Sequence, residues 1–341
     1  MKRAEQLKQI YNLQPHEEGG HFAEVYTAPF DKDGRALSGS IYFLLDGEET
    51  SRFHRIDCDE VWYFHEGCGM KITVLMDGSQ KELLLGSDLE RGDRAMVVVP
   101  KGSVFAAANL DPQGYTFVSC MTTPKFSYDG FQLVVSVAEM RQADARTIAN
   151  GTPSIELMHR AAQGIFDAYD GWMGHRTLVI CGSGNNGGDG YALAEILSTH
   201  GYPVEILRVS DKFSEDGRYY YEKCRALDVP MFTCKEAFDF SGYDILVDCM
   251  LGTGFSGVPR EPVAGAILRV NEAKEKGAFV ISADINSGMN GDTGEAELAV
   301  KSDLTVSIGY LKHGLLQGRA QELISRLVNV DIGIELKEKT E

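Results

Sequence analysis

The stretch that decides the fold of the C-terminal half is GSGNNGGDG, residues 182–190. It follows the apolar run TLVIC (177–181) and precedes the helix-like run YALAEIL (191–197). A buried strand, a glycine-rich turn and a helix in this order predict a loop that binds phosphate through its backbone N–H groups. The two amides and the carboxylate in this loop exceed what a phosphate requires. The pattern alone leaves the role of these three side chains open.

From about residue 138 onwards, helix and strand patterns alternate along the chain. Such alternation predicts a doubly wound, Rossmann-like α/β domain with a mostly parallel sheet. Four of the predicted helices are 138–150, 189–200, one within 214–226, and 261–275. A further predicted helix has Thr152 as its N-cap and Pro153 in its first turn, and it ends near Ala168. The predicted strands are 176–181, 203–208, 244–248, 278–282 and 304–308.

Residues 36–136 have a different pattern, with short alternating strands separated by turn residues. The predicted strands are 38–45, 60–64, 70–75, 81–85, 95–99 and 115–120. Many short strands at near-even spacing indicate an all-β barrel or sandwich. The sequence therefore predicts two domains, residues 1–137 and 138–341.

Composition narrows the classes of partner and the compartment. The chain has 33 Lys and Arg residues against 50 Asp and Glu, a formal charge of −17. This excess of negative charge disfavours nucleic acid and membrane surfaces as partners. Seven cysteines without a C-x-x-C pair predict reduced thiols, and no stretch resembles a signal peptide or a membrane span. We expect a cytoplasmic protein. The sequence leaves its oligomeric state open, and a homo-oligomer is one of the possible states.

Two further polar loops follow predicted strands. The loop after 244–248 begins with Asp248, and the loop after 278–282 contains Asp284 and Ser287. Each carboxylate taken alone is also explained as a cap of the next element. Because parallel strands end at the same edge of a sheet, we expect all three loops to form one site. A dehydrogenase site is disfavoured, since strand 203–208 ends in Arg208 rather than in the acidic residue that binds a ribose.

Four motifs in order make a family resemblance specific. GSGNNGGDG, VDCMLGTGFSG, DINSGMNGDTG and GYLKHGL, after the lead-in MRQADARTIANGTPSIELM, resemble the NAD(P)H-hydrate epimerase family, the N-terminal half of YjeF-type repair proteins. The resemblance covers roughly residues 138–335. The chain departs from the family at Ser183 and at Asn286, where the family usually has proline.

The resemblance implies a substrate, an ion and a partner. The implied substrate is hydrated NADH or NADPH, whose R and S forms would be interconverted, and the implied functional partner is an NAD(P)H-hydrate dehydratase. The implied potassium ligands are Asn186, Asp248 and Ser287. The implied substrate-binding residues are Asn185, Asn186, Gly187, Gly188, Asp189, Gly252, Thr253, Gly254, Phe255, Ser256, Gly257, Val258 and Asp284.

For the chemistry we predict that Asp284 exchanges a proton with the leaving oxygen and that Lys312 is its electrostatic partner. The alternative for Lys312 is a solvated surface lysine. Two other readings of this domain stay open at this point: a non-catalytic nucleotide-binding scaffold and an ordinary dehydrogenase.

The first domain is similar to cupins, and the segment DEVWYFHEG is similar to the uncharacterised DUF985-like group. In a metal-binding cupin, two histidines and a glutamate come from the first motif and one histidine from the second. His54 and Glu60 occupy two of these positions, but Ile56 and Phe105 occupy the other two. A cupin metal site is therefore doubtful unless His65 substitutes.

Two metal-free interpretations of the barrel remain. One is an apolar barrel with a single buried, hydrogen-bonded His–Glu pair. The other is a small-molecule or sugar pocket lined by Trp62, Tyr63 and Phe105, which would place the main activity in this domain.

Overall fold

The computed structural model describes residues 2–32, 34–76, 79–234 and 238–336. The chain divides into two compact units, Met1–Val134 and Val135–Glu341. The sequence pattern had placed this division near residue 137.

The first unit opens with helix α1 (Arg3–Ile10) and continues almost entirely in strands. The strands are β1 (Gln14–Pro15), β2 (His21–Thr27), β3 (Asp31–Lys32), β4 (Arg35–Ala36), β5 (Gly39–Asp46), β6 (Thr50–Arg55), β7 (Asp59–Gly67), β8 (Met70–Met76), β9 (Ser79–Leu85), β10 (Met96–Val99), β11 (Val104–Asn109), β12 (Tyr115–Thr123) and β13 (Gln132–Val135). Antiparallel pairing gives one sheet in the order β1-β2-β5-β12-β7-β10 and a second that includes β13-β6-β11-β8-β9. The predicted all-β class is confirmed.

Strand β7 illustrates how the barrel interior is filled. Successive side chains of a strand point to opposite faces, so Glu60 and Trp62 are buried while His65 is exposed. Trp62 packs against Phe43 and Phe105 in the apolar core of the unit.

Seven strands in the described part of this unit were not predicted: the short strands β1, β3, β4 and β13, and the longer strands β2, β6 and β11. Strand β2 lies before residue 36, and β6 (TSRFHR) and β11 (VFAAAN) lack clear alternation of apolar and polar residues. Pairing on both sides places β6 and β11 in the sheet despite their weak local signal.

The second unit alternates helices and strands. Its main elements are α2 (Val137–Ala149), α3 (Ser154–Asp167), β14 (Thr177–Cys181), α4 (Asn185–Thr199), β15 (Val204–Arg208), α5 (Glu215–Ala226), β16 (Met231–Thr233), β17 (Ile245–Cys249), α6 (Val263–Glu275), β18 (Phe279–Ala283), β19 (Leu304–Ile308), β20 (Leu311–Lys312), α7 (Ala320–Leu323) and β21 (Leu327–Val330). Parallel pairing gives the sheet order β16-β15-β14-β17-β18-β19-β21, the doubly wound arrangement that was predicted.

Several helix starts differ from the prediction; α6, for example, begins at Val263 rather than at 261. Helix α3 begins at Ser154 with Pro153 as its N-cap, because the N–H of Thr152 bonds the Thr147 carbonyl and closes the turn after α2. Helix α4 begins at Asn185 rather than at 189, so the NNGGD segment is its first turn. Its glycines have low helix propensity, and tertiary packing overrides that preference.

All seven cysteines are free thiols. Within the described ranges, every helix is too short or too polar to cross a membrane.

Candidate active site

The sheet order reverses between β14 and β17, where a doubly wound sheet forms its ligand crevice. The two strands run side by side as far as Cys181 and Cys249, and the N–H of Gly182 donates to the Cys249 carbonyl at 3.0 Å. A Cβ atom on Gly182 would lie 1.8 Å from the Met250 carbonyl oxygen. Glycine is therefore required here before the two loops separate.

A cavity of about 580 Å³ opens at this end of the sheet. It brings together residues from all three polar loops that the sequence singled out. The predicted site residues that line it are Asn185, Asn186, Asp189, Gly252, Thr253, Gly254, Phe255, Asp284 and Lys312.

Five of the predicted substrate-binding residues do not line this cavity. A Cβ on Gly187 would lie 2.2 Å from the Gly182 carbonyl, and one on Gly188 would lie 2.4 Å from the Met158 methyl group. These two glycines allow α4 to pack closely against the preceding loop and α3. Ser256, Gly257 and Val258 lie further along their loop and are exposed.

Lys312 is not a surface lysine, since only 1% of it is exposed. Its ammonium group is ion-paired with Asp284 Oδ1 and also donates to the Ile308 carbonyl at 2.5 Å and to Ser307 Oγ at 3.5 Å. Asp284 Oδ1 accepts a further bond from the N–H of Ile308 at 3.2 Å. Among the described residues Asp284 Oδ2 has no hydrogen-bond partner, and it is therefore the oxygen that remains for a ligand.

The backbone of Asp284 is in the left-handed region, with φ of +63°. A non-glycine residue there costs of order 1 kcal/mol and is typical of functional sites. The N–H of Asp284 donates to the Val306 carbonyl at 2.8 Å, which fixes this conformation at the end of β18.

Asn286 stabilises the same loop from the inside. It is fully buried, and its amide donates to the Val300 carbonyl at 2.8 Å and to Ser302 Oγ at 3.0 Å. Its carbonyl oxygen accepts from Thr305 Oγ1 at 2.6 Å. The departure from the family proline therefore adds a satisfied polar network beneath the site.

The three predicted potassium ligands are connected through Leu251. Asn186 Nδ2 donates to the Leu251 carbonyl at 2.8 Å, and the Leu251 N–H donates to Ser287 Oγ at 2.9 Å. Ser287 Oγ in turn donates to Asp248 Oδ1 at 2.5 Å, and the Ser287 N–H donates to Asp248 Oδ2 at 2.8 Å.

This network contains features that a cation would satisfy. Asp248 is fully buried without a basic partner among the described residues, and burial raises the pKa of its carboxyl despite the Ser287 hydrogen bonds. Asn186 Oδ1 is buried and accepts no hydrogen bond. An amide oxygen, a hydroxyl and a carboxylate are suitable ligands for a hard monovalent cation, so the donor set fits potassium.

The cavity also holds carboxyl groups that sequence reasoning missed or gave no proton role. Asp144 of α2 lines it, and burial raises the pKa of Asp144 to about 6, with the Asp284 charge acting in the same direction. Burial, and then the charges of Asp284 and Asp144, raise the pKa of Asp189 well above its usual value. Asp216 lies on the same wall.

Asp144 and Asp189 therefore bind a proton more readily than solvent-exposed carboxyls do. A signal for Asp144 existed in the sequence, because an aspartate on a predicted amphipathic helix stands between the apolar positions Met140 and Ile148. The contact of that helix face with a distant loop could not be derived from spacing.

The barrel has a separate cavity of about 430 Å³, lined by His54 and Glu60. A buried His–Glu pair is present, but the partner of His54 Nε2 is Glu18 Oε2 at 3.2 Å rather than Glu60. Glu18 lies before the predicted barrel, and sequence reasoning missed it.

Three residues that the sequence placed in the barrel pocket, His65, Tyr63 and Phe105, do not line the cavity. The side chain of His65 points away from the barrel interior. Its Nε2 lies 2.7 Å from Ser119 Oγ. Of the three predicted aromatic lining residues, only Trp62 lines the cavity; Tyr63 and Phe105 do not. In the described part of the chain, no three His, Cys, Asp or Glu side chains converge in a way that would hold a metal ion.

The fold and the cavity together define an α/β enzyme domain with a ligand site at its switch point. Comparisons with known proteins assign it. The model of the YjeF-related protein N-terminus matches residues 154–314, and that of the Cupin superfamily (DUF985) matches residues 5–134.

Curated relatives agree with the α/β match. The NAD(P)H-hydrate epimerase of Lentilactobacillus buchneri is 35% identical over 59% of this chain and 94% of its own length. The bifunctional NAD(P)H-hydrate repair enzyme Nnr of Methanopyrus kandleri is 33% identical over 59% of this chain and 42% of its own length. The chain thus spans less than half of such bifunctional relatives.

Two solved structures are also similar. A yeast protein has a TM-score of 0.50 at 20% identity over 57% of this chain and 87% of its own. A Shewanella oneidensis protein is 38% identical over 40% of this chain and 86% of its own, with a TM-score of 0.38. On the strength of the epimerase relatives, the chain belongs to the NAD(P)H-hydrate epimerase family, a family of isomerases.

Proposed function

We propose that the α/β unit interconverts the R and S hydrates of NADH and NADPH, and so repairs damaged nicotinamide nucleotides. The observation that carries this proposal is the Asp284–Lys312 ion pair at the wall of a cavity that Asn185, Asn186 and Asp189 also line. The names of the relatives support the substrate class.

The proposed reaction inverts the hydrated carbon of the nicotinamide ring. A protonated carboxyl transfers its proton to the departing oxygen, the carbon–oxygen bond breaks, and water leaves. The ring nitrogen donates its lone pair toward the electron-poor carbon and so stabilises the cation. Water then adds from the opposite face and returns its proton to the carboxylate, which makes the cycle balanced.

We assign the proton exchange to Asp284 through its Oδ2, with Lys312 holding the carboxylate in place through Oδ1. Asp189 lines the same cavity, and burial raises its pKa well above the usual value, which favours a protonated carboxyl beside Asp284. Asp144, with a pKa of about 6, is mostly ionised at neutral pH, and its negative charge would stabilise the cationic ring.

We further propose that Asn186, Asp248 and Ser287 hold a potassium ion. The unpaired Asn186 Oδ1 and the buried Asp248 carboxylate support this assignment. The ion would neutralise the buried charge and supply a fixed positive field beside the substrate. The residues themselves order the loops after β17 and β18.

The sequence matches only part of the bifunctional repair enzymes. We propose an NAD(P)H-hydrate dehydratase as the functional partner of this unit, which would remove water from the epimer that this unit supplies.

A coupled assay tests the proposal. A purified dehydratase is allowed to consume a mixture of both epimers until only the rejected epimer remains, and this protein is then added. Renewed consumption at a rate proportional to the added protein is expected. Consumption no faster than in the protein-free control would refute the proposal, and it would favour a non-catalytic scaffold.

A further inference from the structure

The barrel cavity of the first unit is a second pocket with its own chemistry. Its volume is about 430 Å³, and five aromatic side chains contribute to its wall: Phe22, Phe43, Trp62, Phe126 and Tyr128. The acidic residues Glu18, Glu24, Glu60 and Asp129 also line it. A surface that combines aromatic rings with carboxyl groups is unsuited to an anion.

Two carboxyl groups are buried in this cavity, and their surroundings differ. Glu18 has basic neighbours, because its Oε2 lies 3.2 Å from His54 Nε2 and 3.5 Å from His16 Nδ1, and its Oε1 accepts from Ser51. Glu60 accepts from Trp62 Nε1 at 2.9 Å, and Cys120 lines the same cavity. Within the described residues, Glu60 forms no ion pair with a basic side chain.

Lys125 also lines the cavity, but its positive charge does not compensate the carboxyl group of Glu60. Lys125 Nζ lies at 2.8 Å from Glu24 Oε2 and donates to Thr27 Oγ1 at 2.7 Å. Burial, followed by the charge of Glu18, raises the pKa of Glu60 to about 8. A buried carboxyl without a counter-charge keeps its proton until a positive group approaches.

The residues around Glu60 do not fit a metal ion as the positive group that would compensate its carboxyl. The positions where a metal-binding cupin would have histidines are taken by Ile56 and Phe105, both buried and apolar. The described residues contain no converging group of three ligating side chains. Glu60 therefore faces a cavity that has room for a ligand but lacks the ligands of a metal centre.

We propose that the barrel cavity binds a small organic cation, an amine with an apolar or aromatic body, whose positive charge is matched by Glu60. The aromatic wall would bury the body of the ligand and add cation–π attraction. Trp62 touches both parts of this site, since its indole lines the cavity and its Nε1 donates to Glu60. The proposal is independent of the reaction assigned to the α/β unit.

The test compares three probes of similar shape and different charge on the full-length protein: 2-phenylethylammonium, 2-phenylethanol and 3-phenylpropionate. Calorimetric titration measures their affinities. Emission of Trp62, in a Trp172→Phe background, reports whether they enter the barrel. We expect the ammonium probe to bind at least about tenfold more tightly than the alcohol, and the carboxylate probe to bind most weakly.

A Glu60→Gln variant keeps the shape of the side chain and removes its charge. It is expected to abolish the preference for the ammonium probe over the alcohol. Glu66→Gln is the matched control, because Glu66 lies on the same strand, outside the cavity, and is ion-paired with Arg3. The control should retain the preference.

The wild-type titrations decide the proposal even if a variant does not fold. Equal or tighter binding of the alcohol or the carboxylate, or no binding of the ammonium probe at millimolar concentration, would overturn it. Full retention of the ammonium preference in a folded Glu60→Gln protein would do the same.

Discussion

The ammonium group of Lys312 is ion-paired with the carboxylate of Asp284 in the interior of the α/β unit. The two residues come from different loops, after β18 and at β20, and both line the cavity at the carboxyl end of the sheet. A pair of this kind is held together because each charge would be strongly unfavourable alone.

Replacement of Lys312 by methionine should reduce both stability and activity. The variant leaves Asp284 partly buried without its cation, which should lower the free energy of unfolding by about 3 kcal/mol. The misplaced carboxylate should lower the epimerisation rate roughly 100-fold. Denaturant unfolding and the coupled assay measure the two effects. Lys301→Met, an exposed lysine of the same unit, should change neither.

An Asp144→Asn variant should be more stable than the wild type and less active. Burial raises the pKa of Asp144 from 3.8 to about 6, so the ionised carboxylate destabilises the folded state at neutral pH. Removing the charge should raise the free energy of unfolding by roughly 1 kcal/mol, since partial exposure screens the penalty.

The pH dependence of that difference has a defined sign. Below about pH 4 the Asp144 carboxyl is protonated in the folded and the unfolded chain, so Asp144→Asn and the wild type should have similar stability. The difference should grow up to about pH 6 and then stay constant. Asp170→Asn, at an exposed position, is the control. A stability difference that shrinks with rising pH would contradict the assignment of Asp144 as a buried carboxyl.

Potassium should stabilise the protein in a way that depends on Asn186. At a concentration about tenfold above its dissociation constant, an ion that binds only the folded state should raise the Tm by roughly 3 °C relative to choline chloride at equal ionic strength. Asn186→Ala should lose this increment, and Asn185→Ala should keep it, because the buried unpaired oxygen belongs to Asn186. An equal increment in both variants would place the ion elsewhere.

Restoring the family proline at position 286 should destabilise the protein rather than improve it. Asn286→Pro removes the amide that bonds Val300 and Ser302 and leaves Thr305 without its acceptor. We expect a loss of roughly 2 to 4 kcal/mol in the free energy of unfolding. A stable and more active variant would mean that Asn286 marks a loss of function in this chain.

The sequence was sufficient for the doubly wound sheet and for much of the site. Polar residues follow the strand ends at Cys181 and Cys249, and the parallel topology brings the loops that contain them together. Asp284 could be selected for that reason, whereas Lys312 was selected through the family motif GYLKHGL.

Other parts depended on packing that local patterns do not encode. Asp144 reaches the cavity because α2 packs over the strand ends, and Glu18 reaches His54 from a segment before the predicted barrel. The NNGGD segment was assigned to a loop because its glycines disfavour helix, whereas close contacts of Gly187 and Gly188 make a helical start possible. In each case a tertiary contact outweighed a local preference.

The most direct measurement of the central claim is the time course of epimer interconversion without any dehydratase. A single hydrate epimer of NADH is incubated with the wild type, with Asp284→Asn or with no protein, and the two epimers are separated by chromatography. The account predicts fast equilibration with the wild type and a rate at least about 100-fold lower with a folded Asp284→Asn protein. Equal rates for these two proteins, or a wild-type rate no higher than that without protein, would contradict it.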